Sequence, residues 1–284
     1  MQQAGSGQQM RAAEQHTSPP ASLRDRRVTV MGLGRFGGGV GVTRWLVRQG
    51  AQVTVTDLAD EASLADSLRQ LQGLPVRFRL GGHDPEDFSR SELVVVNPAV
   101  PPDSPFLELA AAAGVPVTTE INLFVERCPA RIIGVTGSAG KSTTTAMIGH
   151  ILRRAARMGL SPFRQVWVGG NIGCSLLEQL HHIRPDDLVV LELSSFQLHR
   201  LAAIRRSPHI AVLTCLAPNH LDWHGTYAAY VAAKLNIFRF QDPARDHAVV
   251  CRDDRSAHQA VLELFGDLTG VWTYGLDEQD RPVA

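Results

Sequence analysis

Twice along this chain a short apolar, β-branched run ends in a cluster of glycines and gives way to a helix-forming stretch. The first run, at 28–31, leads into Gly32-Leu33-Gly34-Arg35-Phe36-Gly37. The second, Arg131–Thr136, leads into Gly137-Ser138-Ala139-Gly140-Lys141-Ser142-Thr143. A strand that turns at once into a helix packs most simply as one strand of a parallel sheet with helices on its faces. The remainder keeps the same alternation. Runs at 53–56 and 93–96 read as buried strands, with helical spacing at 41–48, 61–71 and 104–113 and a Pro-rich loop at 98–105. The segment 127–130 with Pro129 reads as a linker. Beyond it, strands are read at 131–136, 188–193, 209–213, 248–251 and 271–274, with helices at 141–157 and 226–240.

The predicted fold class is therefore α/β. An N-terminal Rossmann-like parallel-sheet domain is expected over 25–127, and a P-loop-type α/β central domain over 128–284, its end incomplete. Residues 1–24, rich in Gln, Ala, Ser and Gly, are expected to be a disordered tail. A length of 284 residues accommodates two domains. Basic and acidic residues balance at 28 each, so no global field draws in nucleic acid or a membrane surface, and an anionic ligand needs local sites. No run of about 18 apolar residues occurs, and the start lacks the apolar stretch of a secretory signal. Cys128, Cys174, Cys215 and Cys251 are widely spaced, which fits reduced thiols of a cytoplasmic protein better than a disulfide or zinc framework; a monomer is expected.

Of the 28 basic residues only Lys141 and Lys234 are lysines; the others are arginines. Such a bias reads as codon composition, with arginine wherever a positive charge alone suffices. Positions that keep lysine then point to chemistry that a guanidinium cannot perform. Lys141 lies in the second glycine cluster. There, open amides at a helix start and a lysine suit the phosphates of a nucleotide, and the Ser142 hydroxyl suits magnesium. The common phosphate-loop pattern would put a glycine at 135, where Val135 stands. Glu192 ends the apolar run at 188–193, at the strand edge where open α/β sheets bind ligands, and is placed to hold magnesium; an edge glutamate in solvent is the plainer alternative. Lys234 shares a helical face with Tyr227, Tyr230, Val231 and Phe238. Burial there lowers an amine's pKa, and a neutral amine combines with carbon dioxide to give an anionic carbamate. Snorkelling of the ammonium to the surface is the competing reading.

The first glycine cluster has Asp57 at the end of the next strand, which is the dinucleotide fingerprint in its usual context. On its own it fits a nicotinamide cofactor. A uridine diphosphate group satisfies the same geometry, since glycines and a helix start bind any diphosphate.

Taken together, Thr136 to Thr143, Val168-Gly-Gly-Asn-Ile-Gly173, Leu191-Glu-Leu-Ser-Ser-Phe-Gln-Leu198, Asn219-His-Leu-Asp222 and Tyr230-Val-Ala-Ala-Lys-Leu235 resemble the Mur ligases, and within them the branch that adds D-glutamate. The resemblance runs from about residue 27 to near the end. It implies an ATP-dependent, amide-forming ligase of peptidoglycan synthesis acting on UDP-N-acetylmuramoyl-L-alanine, D-glutamate and ATP. It places ATP on Gly137, Ser138, Ala139, Gly140, Lys141, Ser142 and Thr143. The UDP substrate falls to Gly34, Arg35, Phe36, Gly37, Asp57, Asn97, Asn171 and Ser194. Two Mg2+ ions fall to Ser142, Glu192, His220 and Lys234 as its carbamate, with Lys141, Glu192, His220 and Lys234 as the catalytic set. His220 enters by the resemblance alone. Departures are Ala139 for a usual asparagine, Asn97-Pro98-Ala99 for a usual Ser-Pro-Gly, a lengthened glycine segment at 37–41, and Asn219 where an acid is usual. Family members carry a further C-terminal, D-glutamate-binding domain, whereas this sequence stops at Ala284. The expectation is a chain that binds its nucleotides and ligates poorly. The alternatives left open are a non-catalytic nucleotide-binding module, an NAD-dependent enzyme, and a sister ligase for another amino acid.

Overall fold

The computed structural model of the chain describes residues 22–34, 37–172, 175–267 and 270–276. Two all-parallel sheets carry the fold. The first contains β1 (Arg27–Met31), β2 (Gln52–Asp57), β3 (Val76–Leu80), β4 (Leu93–Val96) and β5 (Val117–Thr118) in the order β3-β2-β1-β4-β5. The second contains β6 (Arg131–Thr136), β7 (Val166–Gly170), β8 (Leu188–Glu192), β9 (Ile210–Leu213), β10 (His247–Cys251) and β11 (Val271–Tyr274) in the order β11-β10-β9-β6-β8-β7. Strands buried on both faces read as unbroken apolar runs, and all four residues of β4 and all five of β8 are buried.

In each sheet the strand that precedes a glycine cluster is central and sits where the order reverses. β1 lies between β2 and β4; β6 lies between β8 and β9. At such a switch point the connections leave in opposite directions and open a crevice at the carboxyl ends of the strands. Both glycine turns therefore lie at the sheet edge where open α/β sheets bind ligands. The first is followed by helix α1 (Gly38–Arg48). Then come α2 (Ala65–Gln70), α3 (Pro85–Ser89), α4 (Pro105–Ala112) and α5 (Glu120–Arg127), and the second turn opens α6 (Lys141–Arg157).

One large apolar cluster spans the two halves, and each half also has a smaller cluster of its own. Val30, Leu46 and Phe124 from the first half belong to the same buried group as Leu177, Leu191 and Leu198 from the second. Polar contacts reinforce the seam: Arg48 pairs with Glu178 at 3.1 Å, and Asn122 Nδ2 donates to Arg200 O at 2.9 Å. The linker expected at 127–130 is short and taut, since α5 ends at Arg127 and β6 begins at Arg131.

Leu23 is buried in the core, so residues 22–24 belong to the folded chain and not to the tail expected there; residues 1–21 lie outside the described residues. β3 and β7 escape the sequence reading because Arg77 and Arg79 break one apolar run and Gly169 and Gly170 dilute the other.

The turn after β1 tolerates little. Gly32 has φ 88°, and a Cβ there would lie 2.8 Å from Asn97 Cβ. Gly32→Ala is expected to cost about 1–3 kcal/mol of stability, read as a lowered urea midpoint; an unchanged midpoint would show that the turn is free to shift.

Candidate functional site

The second glycine turn is fixed by the strand beside it. Gly137 has φ 153°, and a Cβ on it would lie 1.9 Å from Thr214 Oγ1, so the close approach of β9's end demands glycine. Thr214 Oγ1 donates to Ala139 O at 2.6 Å, while Ser138 N donates to Cys215 O at 2.9 Å. Ser138 Oγ accepts from Ala217 N at 2.8 Å and lies 2.8 Å from the Tyr230 hydroxyl. The loop is thus laced to the segment after β9 and to helix α9 (Tyr227–Arg239). Its outer positions, Ala139, Gly140, Ser142 and Thr143, are exposed.

The chain's two lysines meet here. Lys234 Nζ donates to Gly137 O at 2.8 Å, and Lys141 Nζ donates to the same carbonyl at 3.0 Å. Lys234 is 2% exposed, with its amine 4.8 Å from the Tyr230 ring centroid, so it does not snorkel. Burial and then the Lys141 charge push its pKa down to about 7, against the opposing pull of Cys215 and Glu192. Near neutral pH a substantial fraction of this amine is uncharged.

Glu192 ends the neighbouring strand β8, also at 2% exposure. Its Oε1 accepts from Asn171 Nδ2 at 3.0 Å, and Asn171 N donates to Glu192 O at 2.8 Å. Oε2 is buried and takes no hydrogen bond. A buried carboxylate oxygen with no donor suits a cation, so the residues present fit a magnesium ion. Among the described residues no group of three or more His, Cys, Asp or Glu side chains is arranged to hold a metal.

Two expected residues serve their own neighbourhood as well. Ser194 caps helix α7 (Ser195–Leu201): its hydroxyl accepts from Gln197 N, and Gln197 Oε1 accepts from Ser194 N, a reciprocal capping box. The hydroxyl keeps its own proton to donate. His220 is exposed in the left-handed conformation, φ 51°, with its ring 4.7 Å from that of Phe196. His224, which sequence reading passed over, sits deeper, with Nε2 3.0 Å from Ser195 Oγ. Burial, then His199, His220 and Lys234, push its pKa down to about 4, so it is neutral at physiological pH.

The first turn is organised alike. Gly34 N donates to Asp57 Oδ2 at 3.2 Å, and Ala59 N to Oδ1 at 2.9 Å, so Asp57 braces the turn it was expected to sit beside. Asn97 braces it from the other side, with Asn97 N donating to Met31 O at 2.8 Å. Gly37 stands at the start of α1; Arg35, Phe36 and Gly173 lie outside the described residues. Thr214 and Tyr230 are the loop's main partners, and only contact across the sheet reveals the first of them.

Together these features define a two-sheet, parallel α/β protein with a phosphate-type loop and a second glycine turn at separate switch points. The profile described as the Mur ligase middle domain matches residues 135–283, and that of the MurD-like N-terminal domain matches 26–119. The chain belongs to the Mur ligase family. It is 50% identical over 245 residues to the UDP-N-acetylmuramoylalanine--D-glutamate ligase of Roseiflexus sp., covering 86% of this chain and 51% of that protein. The protein of the same name from Trichlorobacter lovleyi is 43% identical, with 87% and 52% covered. The chain thus spans about half the length of the curated relatives it matches. Its fold is similar to the Neisseria meningitides UDP-N-acetylmuramate:L-alanyl-gamma-D-glutamyl-meso-diaminopimelate ligase, with TM-score 0.60, 18% identity, and coverage of 88% of this chain and 78% of that one. It also resembles the Thermotoga maritima UDP-N-acetylmuramate-alanine ligase, with TM-score 0.54, 24% identity, and coverage of 89% and 53%. No helix among the described residues is long and apolar enough to cross a membrane.

The state of Lys234 is measurable without substrate. Its pKa is about 7 in the fold against 10.5 in the unfolded chain. Between these values the unfolded chain binds more protons, so the penalty for burying the charged amine is full below about pH 7 and fades as pH rises toward 10.5. Lys234→Met removes that penalty. In urea melts under carbon dioxide-free buffer, the stability of this variant relative to the wild type is expected to be most favourable near pH 7 and to decline toward pH 10. A difference independent of pH would contradict the buried-amine geometry.

Proposed function

We propose that this chain supplies the UDP-substrate half and the ATP half of a ligase that joins D-glutamate to UDP-N-acetylmuramoyl-L-alanine through an acyl phosphate. The observation that carries this reading is the convergence of Lys141 and Lys234 on the Gly137 carbonyl, near enough to Glu192 for its charge to act on Lys234. The printed names of the 50% and 43% identical relatives support the choice of substrates.

ATP lies along Gly137 to Thr143, with the exposed loop positions toward the phosphates. Lys141, released from Gly137 O, reaches the outer phosphoryl group. The first turn, braced by Asp57 and Asn97, takes the diphosphate of the UDP substrate, and Asn171 and Ser194 lie toward its reacting end. The L-alanine carboxylate oxygen attacks the γ-phosphorus, the bond to ADP breaks, and an acyl phosphate results. The D-glutamate amine then attacks the acyl carbon, loses a proton, and phosphate leaves. Magnesium, when bound, offsets the repulsion between the γ-phosphoryl group and the carboxylate. Ser142, Glu192, His220 and carbamylated Lys234 would hold it as two ions. For the carbamate, the neutral Lys234 nitrogen bonds to the carbon of carbon dioxide and releases a proton, which an amine with pKa near 7 does readily.

By calorimetry the chain is expected to bind UDP-N-acetylmuramoyl-L-alanine, and a non-hydrolysable ATP analogue with magnesium. Lys141→Ala is expected to weaken the analogue about tenfold or more while leaving the UDP compound unaffected. Saturable NADH binding with no response to the UDP compound would overturn the reading. In 13C-bicarbonate the wild type is expected to show a carbamate carbon resonance that Lys234→Arg lacks. A resonance unchanged in that variant would remove Lys234 from the metal set.

A further inference from the structure

The turn at 97–100 belongs to the first half but is held by the second. Asn97 seats it against the glycine turn: Asn97 N donates to Met31 O at 2.8 Å, and Ala99 N donates to Asn97 Oδ1 at 3.0 Å. The next two carbonyls both receive donors from beyond the linker. Trp223 Nε1 donates to Ala99 O at 3.0 Å, and Arg200 Nη2 to Val100 O at 3.1 Å. Trp223 lies in the short helix α8 (Leu221–His224), whose first turn closes on His220 O through Trp223 N and His224 N. Its indole meets the Phe196 ring edge-on at 5.0 Å, and Phe196 meets His220 at 4.7 Å. A short relay therefore runs from the first glycine turn through Asn97, Ala99 and Trp223 to His220, and Phe196 belongs to the α7 segment that follows Glu192.

We propose that Trp223 is a positioning residue that couples ligand binding at the first glycine turn to ligand binding at the second. The inference rests on the functional reading above. If the 97–100 turn moves on binding a UDP compound, the half-buried indole must either lose its hydrogen bond or carry the His220 segment with it. Phenylalanine at 223 fills nearly the same space and keeps the contact with Phe196, but leaves Ala99 O without this donor. The substitution thus separates packing from coupling.

The test is titration of the full chain with UDP-N-acetylmuramoyl-L-alanine, without and with a saturating ATP analogue and magnesium. In the wild type the analogue is expected to tighten the UDP compound about fivefold or more. In Trp223→Phe each ligand alone is expected to bind within about twofold of the wild type, while the tightening falls close to one. Arg200→Gln, which replaces the neighbouring guanidinium with a shorter side chain that does not span to Val100 O, provides a second variant and is expected to reduce the tightening in the same direction. A folded Trp223→Phe that keeps the full tightening overturns the proposal, and so does a wild type that binds both ligands without tightening. If Trp223→Phe fails to fold, full tightening in Arg200→Gln overturns it instead. A wild type that binds neither ligand overturns the functional reading itself, and this inference with it.

Discussion

The second half of the molecule is organised around the carbonyl of Gly137. It accepts both lysine amines, and its residue can only be glycine because Thr214 lies where a side chain would begin. Two ammonium groups on one carbonyl repel each other. The arrangement is held because Lys234 has nowhere to go: it is buried beneath the loop and faces Tyr230. The repulsion and the burial act in the same direction on Lys234, so one contact both shapes the loop and prepares an amine for chemistry.

That arrangement in turn depends on the topology. β6 is central, with β8 on one side and β9 on the other, so Thr214 at the end of β9 contacts the loop while Glu192 ends the strand on the opposite flank. The first half repeats the device with β1, whose glycine turn is braced by Asp57 from β2 and Asn97 from β4's end. The sites differ in what stands beside the glycines. Carboxylate and amide groups tie down backbone at the first, whereas amines and a carboxylate oxygen without a donor gather at the second. A diphosphate held by backbone suits the former, and a reacting phosphoryl group suits the latter.

Much of this was legible in the residues. The strands β4 and β8 are apolar along almost their whole length, β1 and β6 are mostly so, and helix α6 has amphipathic spacing, so their assignments needed no partner. The rarity of lysine marked Lys141 and Lys234 before any contact was known. Edge strands were harder, because one face of β3 is half-solvated and carries arginines. His224, Thr214 and Trp223 carried no local signal at all. Each acquires its role from a partner far away in sequence, as when Trp223 meets a carbonyl 124 residues earlier.

By itself the sequence determined the α/β class, the two strand–glycine–helix turns and the identity of the side chains able to act at them, since periodicity, glycine placement and lysine scarcity are local properties. Only the tertiary structure decided that Lys234 lies beneath the loop and not at the surface, that Glu192 keeps one oxygen without a donor, and that the two halves share a core and a clasp. Burial, hydrogen-bond satisfaction and charge proximity arise between strands and helices distant in the chain, and no local pattern encodes which of them will meet.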